Sequence, residues 1–281
     1  MVNARQHFSR LRSILEIPLA TDAYWPKISK TSADGIMLDL EDSVQPDQKS
    51  EARQRVATIC SDPSVTSGKI TFVRVNGLTS EWGAADLSAL GACPASVMVC
   101  YPKIENESEL DQAQALLRAN GPARKFYVMI ESHLGLSRIE RILSHPDVVG
   151  VHFGYSDYAL DVGCDLFNAQ GDGFEVPAMQ IPLAAIGAAA AAYGKFASGG
   201  TLIPDFRDAA KVARFVRTWR AHGYSACIAL MPSHLDLIHE NIRHRAEDYQ
   251  RVTDLLAGGP ASASFIDRRM AQLTVKQHLG Y

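Results

Sequence analysis

Cysteine is scarce in this chain: Cys60, Cys93, Cys100, Cys164 and Cys227, an odd number with no C-x-x-C pair. That pattern speaks against a disulfide framework and against a thiolate zinc site, and it fits a reducing cytoplasm. Charge of one sign is lacking too. Twenty-eight basic residues stand against 31 acidic ones, a net charge of −3, so no basic excess exists to meet a nucleic-acid backbone. Long hydrophobic runs are missing. The most apolar stretch, Ile181 to Ala192, is Ala-rich and far too short to span a bilayer; it reads as a buried helix, and no membrane partner is expected. The opening residues MVNARQHFSRLRS lack the apolar core of a signal peptide. No G-x-G-x-x-G follows the first strand, and neither a Walker A loop nor a G-x-S-x-G elbow is present, which weakens nucleotide-binding and serine-hydrolase readings. With 20 Gly and 13 Pro in 281 residues, collagen-like and disordered classes are excluded, and no internal repeat or low-complexity tract is seen.

What is present is alternation. Short apolar runs at Ser13–Leu19, Gly35–Leu40, Ile70–Val75, Ser96–Tyr101, Phe126–Ile130, Val148–Phe153, Phe196–Leu202 and Ala226–Leu230 read as strands covered on both faces. Between them lie helical patterns at Lys49–Cys60, Glu107–Ala119, Leu136–Leu143, Leu183–Tyr193 and Asp208–Ala221. Eight β/α units in a chain of this length predict an α/β fold, a single (β/α)8 TIM barrel; a doubly wound open sheet, the rival, needs fewer strands. His234–Leu256 reads as one long polar helix. The AGGPASA stretch, Ala257–Ala263, then divides a barrel domain over 1–256 from a tail or lid over 257–281.

In such a barrel the chemistry gathers where strands end. Charged and polar groups fall there: Asp39, Glu41 and Asp42 after the second strand, Arg74 and Asn76 at the third, Lys103 and Glu105 after the fourth. Glu131 ends the fifth, and Asp157 follows the sixth. Buried runs that each finish in a charge are costly unless the charges meet in one cavity around a cation. Glu131 and Asp157 lie one β/α unit apart, and two carboxylates completed by water or substrate oxygens suit Mg²⁺; without a Cys/His cluster zinc is not expected. The plainer alternative is that Glu131 and Asp157 cap the helices that follow them. Arg74 either holds a substrate carboxylate in its fork or pairs structurally with Asp39 or Glu41. His152, inside an apolar run, reads as a satisfied core residue, and His133 could line the mouth. Lys103 invites a Schiff-base reading, but its acidic neighbours favour a protonated, electrostatic role.

The order of motifs then carries a resemblance. RSILEIPL, DGIMLDLEDSVQPDQKSEAR, FVRVN, YPKIEN, MIES and HFGYSDYALDVG follow one another. The chain from about Arg12 to the tail resembles the HpcH/HpaI aldolase and citrate lyase β-subunit-like family, which includes malyl-CoA and citramalyl-CoA lyases. The resemblance implies a (β/α)8 enzyme, dependent on Mg²⁺ or Mn²⁺, that makes or breaks a carbon–carbon bond beside a carboxylate. It implies Glu131 and Asp157 as metal ligands and Arg74 as the arginine for the substrate's acid group, with Asp39, Glu41 and Asp42 as the acidic segment lining the site. GGTLIPDFRD places Asp205 and Asp208 near the seventh strand. SFIDRRM makes Asp267 the acid/base residue that enters a neighbouring subunit's mouth, which implies a homotrimer or homohexamer. The sequence departs from the family at GYSACIALMPSH, where Ala226, Cys227, Met231 and His234 replace Gly, Lys, His and Gln, and in the tail, where Arg269 replaces proline. Those segments shape the end of the pocket for a thioester carrier. Three functions stay open: a lyase for a short 3-hydroxy acid or its acyl-CoA thioester, a CoA-independent aldolase for 4-hydroxy-2-oxoacids built on pyruvate or oxaloacetate, and a non-catalytic barrel that binds 2-oxoacids.

Overall fold

The structure, a computed structural model, describes residues 8–20, 25–66, 68–168, 174–244, 246–258 and 264–279. Eight parallel strands close into a barrel in chain order: β1 (Ser13–Pro18), β2 (Gly35–Asp39), β3 (Ile70–Arg74), β4 (Met98–Tyr101), β5 (Phe126–Ile130), β6 (Val148–Phe153), β7 (Phe196–Gly200) and β8 (Ala226–Ala229). The ring closes where Ser13 pairs with Cys227 and Ile14 with Ile228. Each expected strand is present, within two residues at either end. The expected (β/α)8 barrel is the observed fold.

The period of two along each strand decides what faces inward. Ile14, Met37, Phe72, Cys100, Tyr127, Met129, Phe196 and Ile228 fill the barrel interior. Their alternate neighbours, among them Leu15, Leu38, Val73, Val99, Val128 and Cys227, pack outward against the helices. Inside, Tyr127 stacks on Phe196 with centroids 5.2 Å apart and meets Phe72 in a tilted contact at 5.0 Å, and the three rings plug the lower half. Continuing the same parity upward gives Glu16 on β1, Asp39 on β2, Arg74 on β3 and, one residue beyond β5, Glu131. The interior therefore changes from aromatic to charged near the carboxyl ends of the strands. A cavity of about 580 Å³ at the opposite end is lined by Phe8, Cys60, Lys69, Thr71, Met98 and Val149, with no carboxylate among the described residues that line it.

Three helical readings need correction. The predicted Leu136–Leu143 helix is two short helices, His133–Ser137 and Ile139–Ser144, broken at Arg138, whose guanidinium reaches across to donate to the Glu105 carbonyl. The long helix expected over His234–Leu256 stops at Asn241 and resumes at Ala246. Arg220 donates to the carbonyls of Asn241 and Arg243, and Arg243 donates to the Ser9 carbonyl, so the chain is tied to the barrel there and the helix cannot run through. The Ala-rich helix, Pro177–Ala192, is buried on one face only. Met179, Pro182, Leu183, Ile186 and Ala190 pack inward while Ile181 is 69% exposed, because alanine makes an outward face look apolar without needing cover. The Ala246–Gly258 helix packs on the tail helix Phe265–Leu279. Of the flexible-looking segment Ala257–Ala263, residues 259–263 lie outside the described residues. No described helix is long and apolar enough to cross a membrane.

Candidate active site

One cavity of about 180 Å³ at the carboxyl end of the strands is lined by Glu16, Arg74, Glu131, His152 and Asp157 together with Asp42. The sequence expectation that Glu131, Asp157 and Arg74 share a mouth is therefore met in the geometry. Each arrives by a traceable route. Ser132, not Glu131, caps the helix His133–Ser137, with Gly135 N donating to Ser132 Oγ at 3.1 Å, so Glu131 is free of capping duty. Its Oε2 accepts the Lys103 amide at 2.7 Å, and Lys103 adopts φ 48°, a left-handed conformation that a lysine holds only at some cost in strain. Asp157 sits in the first turn of the helix Tyr155–Val162, where the unpaired amides favour a carboxylate. That helix is capped by Gly154 without any side-chain bond, so Asp157 is not its cap residue.

Gly154 explains why a glycine opens the F-G-x-x-D segment. A Cβ placed there would lie 2.4 Å from Glu131 Cγ and Oε1. Gly154→Ala must therefore displace the Glu131 carboxylate. The expected outcome is a loss of Mg²⁺ affinity of roughly 10–100-fold, as when a metal ligand's support is removed. Calorimetric titration with MgCl₂ measures it, and unchanged affinity would show that the position of Glu131 does not matter to the cation.

The electrostatics set Glu131 apart. Burial, reinforced by the Glu41 charge and by Asp157, pushes its carboxyl up to about 8. Ionising Glu131 in such a place calls for a nearby positive charge, and the donors on offer are oxygens, which suit a hard divalent cation. Glu131 Oε1 accepts no hydrogen bond from the described residues. The residues present thus fit a magnesium ion. No group of three or more His, Cys, Asp or Glu side chains poised to hold a metal occurs among the described residues, so two protein carboxylates would leave the other positions to water and ligand.

Arg74 is held more firmly than its sequence context suggests. Nε and Nη2 donate to the two oxygens of Asp39 at 2.6 and 2.8 Å, and Nη2 also donates to Glu16 Oε1 at 3.0 Å. Asp39 is fully buried, and its oxygens additionally accept the amides of Glu41 and Ser43, each at 2.9 Å. Asp39 is thus a brace for the guanidinium, not a wall of the cavity. These bonds outweigh its burial and hold its carboxyl below the usual range. The remaining Arg74 nitrogen, Nη1, lies 3.4 Å from half-exposed Asp42, and the residue lines the cavity. Glu41 lies beside rather than inside this cavity. It takes Lys103 Nζ at 2.5 Å and lines an adjoining cavity of about 420 Å³ with Asp42, Lys49, Trp82 and Lys103. Burial would lower the Lys103 amine, but the Glu41 and Glu131 charges outweigh it and raise it, which favours an electrostatic over a Schiff-base role.

The remaining expectations fall elsewhere. Asn76 is a girder, donating to the Leu40 carbonyl at 2.9 Å and to Asp86 at 2.6 Å. Glu105 accepts from Ser132 at 2.8 Å. His152 is satisfied by Ser198 at 2.9 Å, and burial lowers it to about 3, leaving it neutral at the cavity's edge. His133 is exposed. Asp205 pairs with Lys211, and Asp208 caps the helix Ala209–Ala221. His234 is buried between Thr201 and the Phe206 carbonyl. Asp267 is exposed at the start of the tail helix, where it accepts from Ser264 N and Oγ; within its own chain it does not reach the cavity. Glu16 was not singled out from sequence, although it is the lone charge inside the first apolar run and shares the inward parity of Ile14.

A family model described as HpcH/HpaI aldolase/citrate lyase matches residues 12–232. The chain belongs to that family. Among its relatives, a (3S)-malyl-CoA thioesterase of Cereibacter sphaeroides is 32% identical over 152 residues, 54% of this chain and 51% of the relative. A citrate lyase subunit beta-like protein of Deinococcus radiodurans is 28% identical over 258 residues, covering 90% of this chain and 87% of that protein. The chain thus spans about half the length of the malyl-CoA thioesterase it matches. Among solved structures, protein CitE of Mycobacterium tuberculosis in complex with magnesium and acetate superposes with a TM-score of 0.70 at 25% identity, over 82% of this chain and 89% of that one. The family assignment agrees with the closed eight-stranded barrel and with the motif order that carried the resemblance.

Proposed function

We propose that this HpcH/HpaI-family barrel is a magnesium-dependent carbon–carbon lyase acting on a short 3-hydroxy acid or its CoA thioester. The observation that carries this reading is the cavity shared by two carboxylates, Glu131 and Asp157, and a braced arginine, Arg74. A magnesium ion held by Glu131 and Asp157 supplies a Lewis acid beside the oxygens of the ligand. Arg74 Nη1 receives the ligand's carboxylate and fixes its direction, while Asp39 keeps the guanidinium from turning. Lys103 and Glu41 form the neighbouring wall and set the charge around Glu131. An acid/base group must also move the proton at the enolising carbon; the resemblance gives Asp267 of a second copy of this chain as one choice, and the cavity's own carboxyls are the alternative.

Relatives of this chain carry the names malyl-CoA thioesterase, citrate lyase subunit beta and L-malyl-CoA/beta-methylmalyl-CoA lyase, which supports a small acyl-CoA as substrate class. One CitE structure holds magnesium, acetoacetate and coenzyme A. The substituted β8 segment supports a second reading, cleavage of a free 4-hydroxy-2-oxoacid: Cys227 points outward into the helix layer and His234 is tied up in hydrogen bonds, so neither offers a charge to a carrier. Paired assays distinguish the two. The protein is supplied in turn with malyl-CoA, citramalyl-CoA and a 4-hydroxy-2-oxoacid, with MgCl₂ and then with EDTA. Cleavage of a CoA ester that stops in EDTA is the expected result. Turnover that continues at full rate in EDTA would remove the metal from the account.

A further inference from the structure

We infer that Glu16 is a catalytic carboxylate of this site, the group that carries the reacting proton between substrate oxygen and carbon. The inference rests on the lyase reading above and adds a residue that no family motif points to. Glu16 lies two residues from the carboxyl end of β1, on the inward parity, level with Met37 of β2. It lines the same cavity as Arg74, Glu131 and Asp157. Because the eight strands close in chain order, β1 stands across the ring from β5. A ligand gripped by the Glu131 and Asp157 pair and by Arg74 therefore presents its remaining face to Glu16.

Its hydrogen bonding leaves it free to act. Oε1 accepts from Arg74 Nη2 at 3.0 Å, and Oε2 has no donor among the described residues. Most other polar groups around the cavity are committed; the Ser156 hydroxyl, which has no partner among the described residues, is an alcohol too weakly acidic to hold and release a proton at neutral pH as a carboxyl does. His152 is bonded to Ser198, the Tyr155 hydroxyl donates to the Leu202 carbonyl at 2.7 Å, and Thr201 Oγ1 meets His234 at 2.8 Å. Asp42 is half exposed, with Arg74 Nη1 and Lys103 as its cationic neighbours. Glu16 is also tuned for the task. Burial raises its carboxyl to about 7 against the pull of Arg74, with Asp39, Asp42 and Glu41 adding to the rise. On the β8 side, among the described residues, Ile228 and Leu230 face the cavity, and across it lie Glu131 and His152. A carboxyl near 7 exchanges its proton readily at neutral pH, which is what an acid/base group requires.

The step balances without an outside proton. In cleavage, ionised Glu16 takes the proton of the 3-hydroxyl, the O–H electron pair becomes the new carbonyl π bond, and the bond between C2 and C3 breaks. Its electron pair passes to the acyl carbonyl as an enolate. The enolate carbon then takes the proton from the Glu16 carboxyl, which returns to its ionised state. Condensation is the reverse.

The test compares wild type, Glu16→Gln and Glu16→Asp in cleavage of malyl-CoA and of a 4-hydroxy-2-oxoacid with saturating MgCl₂, across the pH range, alongside calorimetric binding of oxaloacetate with Mg²⁺. Expected is a fall in kcat of roughly 10²–10⁴-fold for Glu16→Gln with KM little changed. Wild-type kcat/KM should rise with pH through about 7, as the ionised form is the base, and that limb should vanish in Glu16→Gln. Glu16→Asp should recover part of the rate and keep the limb, while oxaloacetate binding persists in both variants. The inference fails by itself if wild type is active and Glu16→Gln keeps its rate and its limb, or if Asp267→Asn removes the limb instead. If wild type neither cleaves any of these substrates nor binds oxaloacetate with Mg²⁺, the lyase reading fails and the inference with it.

Discussion

Exchanging Glu131 for glutamine, or Asp157 for asparagine, is expected to lower magnesium-dependent turnover by at least ~10³-fold, on the order of 4 kcal/mol of transition-state stabilisation. Thermal stability should not fall with it. Glu131 is nearly inaccessible and disfavours its own charged form, so a neutral amide of the same shape relieves an unfavourable burial instead of creating one. The two effects therefore point in opposite directions, which separates a catalytic role from a structural one. Turnover as a function of MgCl₂ and a melting curve, both on the same preparation, measure them. A Glu131→Gln variant that kept wild-type rate, or that lost rate only because it unfolded, would contradict the metal assignment.

The Asp39 position should behave in the opposite way. Asp39→Ala is expected to destabilise the fold by about 3–5 kcal/mol, because it strips a buried guanidinium of its two-point partner. Asp39 has no exposed surface and accepts four hydrogen bonds from Arg74, Glu41 and Ser43. Glu16 and Asp42 remain near Arg74, at 3.0 and 3.4 Å, but neither offers the parallel pair of bonds. Since the folded carboxyl of Asp39 sits below its ordinary range, its contribution is present above that range and disappears only as pH falls through the lowered value. Urea denaturation of wild type, Asp39→Ala and the double variant Asp39→Ala/Arg74→Met measures the pairing. The double variant should regain much of the stability, since no unpaired charge is left, and should stay inactive. A single variant as stable as wild type would mean that Arg74 needs no brace.

Much of this was legible in the amino-acid order, and the boundary of legibility has a physical cause. The strands announce themselves because a parallel sheet covered on both faces must be apolar along its run, as GIML and FYVMI are, and eight such runs leave few alternatives to a barrel. Glu131, Asp157 and Arg74 are visible for the converse reason: each is a charge that closes such a run or follows it closely. Which charges face the ligand and which stand behind was not legible. Asp39 and Arg74 occupy paired positions on neighbouring strands, and only the register shows that they meet, so that one acid becomes support for the guanidinium. Glu16 was passed over because it lies inside its run, two residues short of the strand end; counting parity from Ile14 would have found it. Helix breaks at Arg138 and near Arg243 were invisible because they depend on where an arginine donates, at the Glu105 carbonyl and at that of Ser9, and not on local propensity.

The central claim is that a divalent cation sits between Glu131 and Asp157 with a carboxylate on Arg74, and a crystal of this protein soaked with MgCl₂ and oxaloacetate tests it most directly. The account predicts one magnesium ion on the two carboxylates, an oxaloacetate chelated to it, and the acid group of that ligand against Arg74 Nη1. Oxaloacetate bound without a metal, or a magnesium ion held away from Glu131 and Asp157, would contradict it.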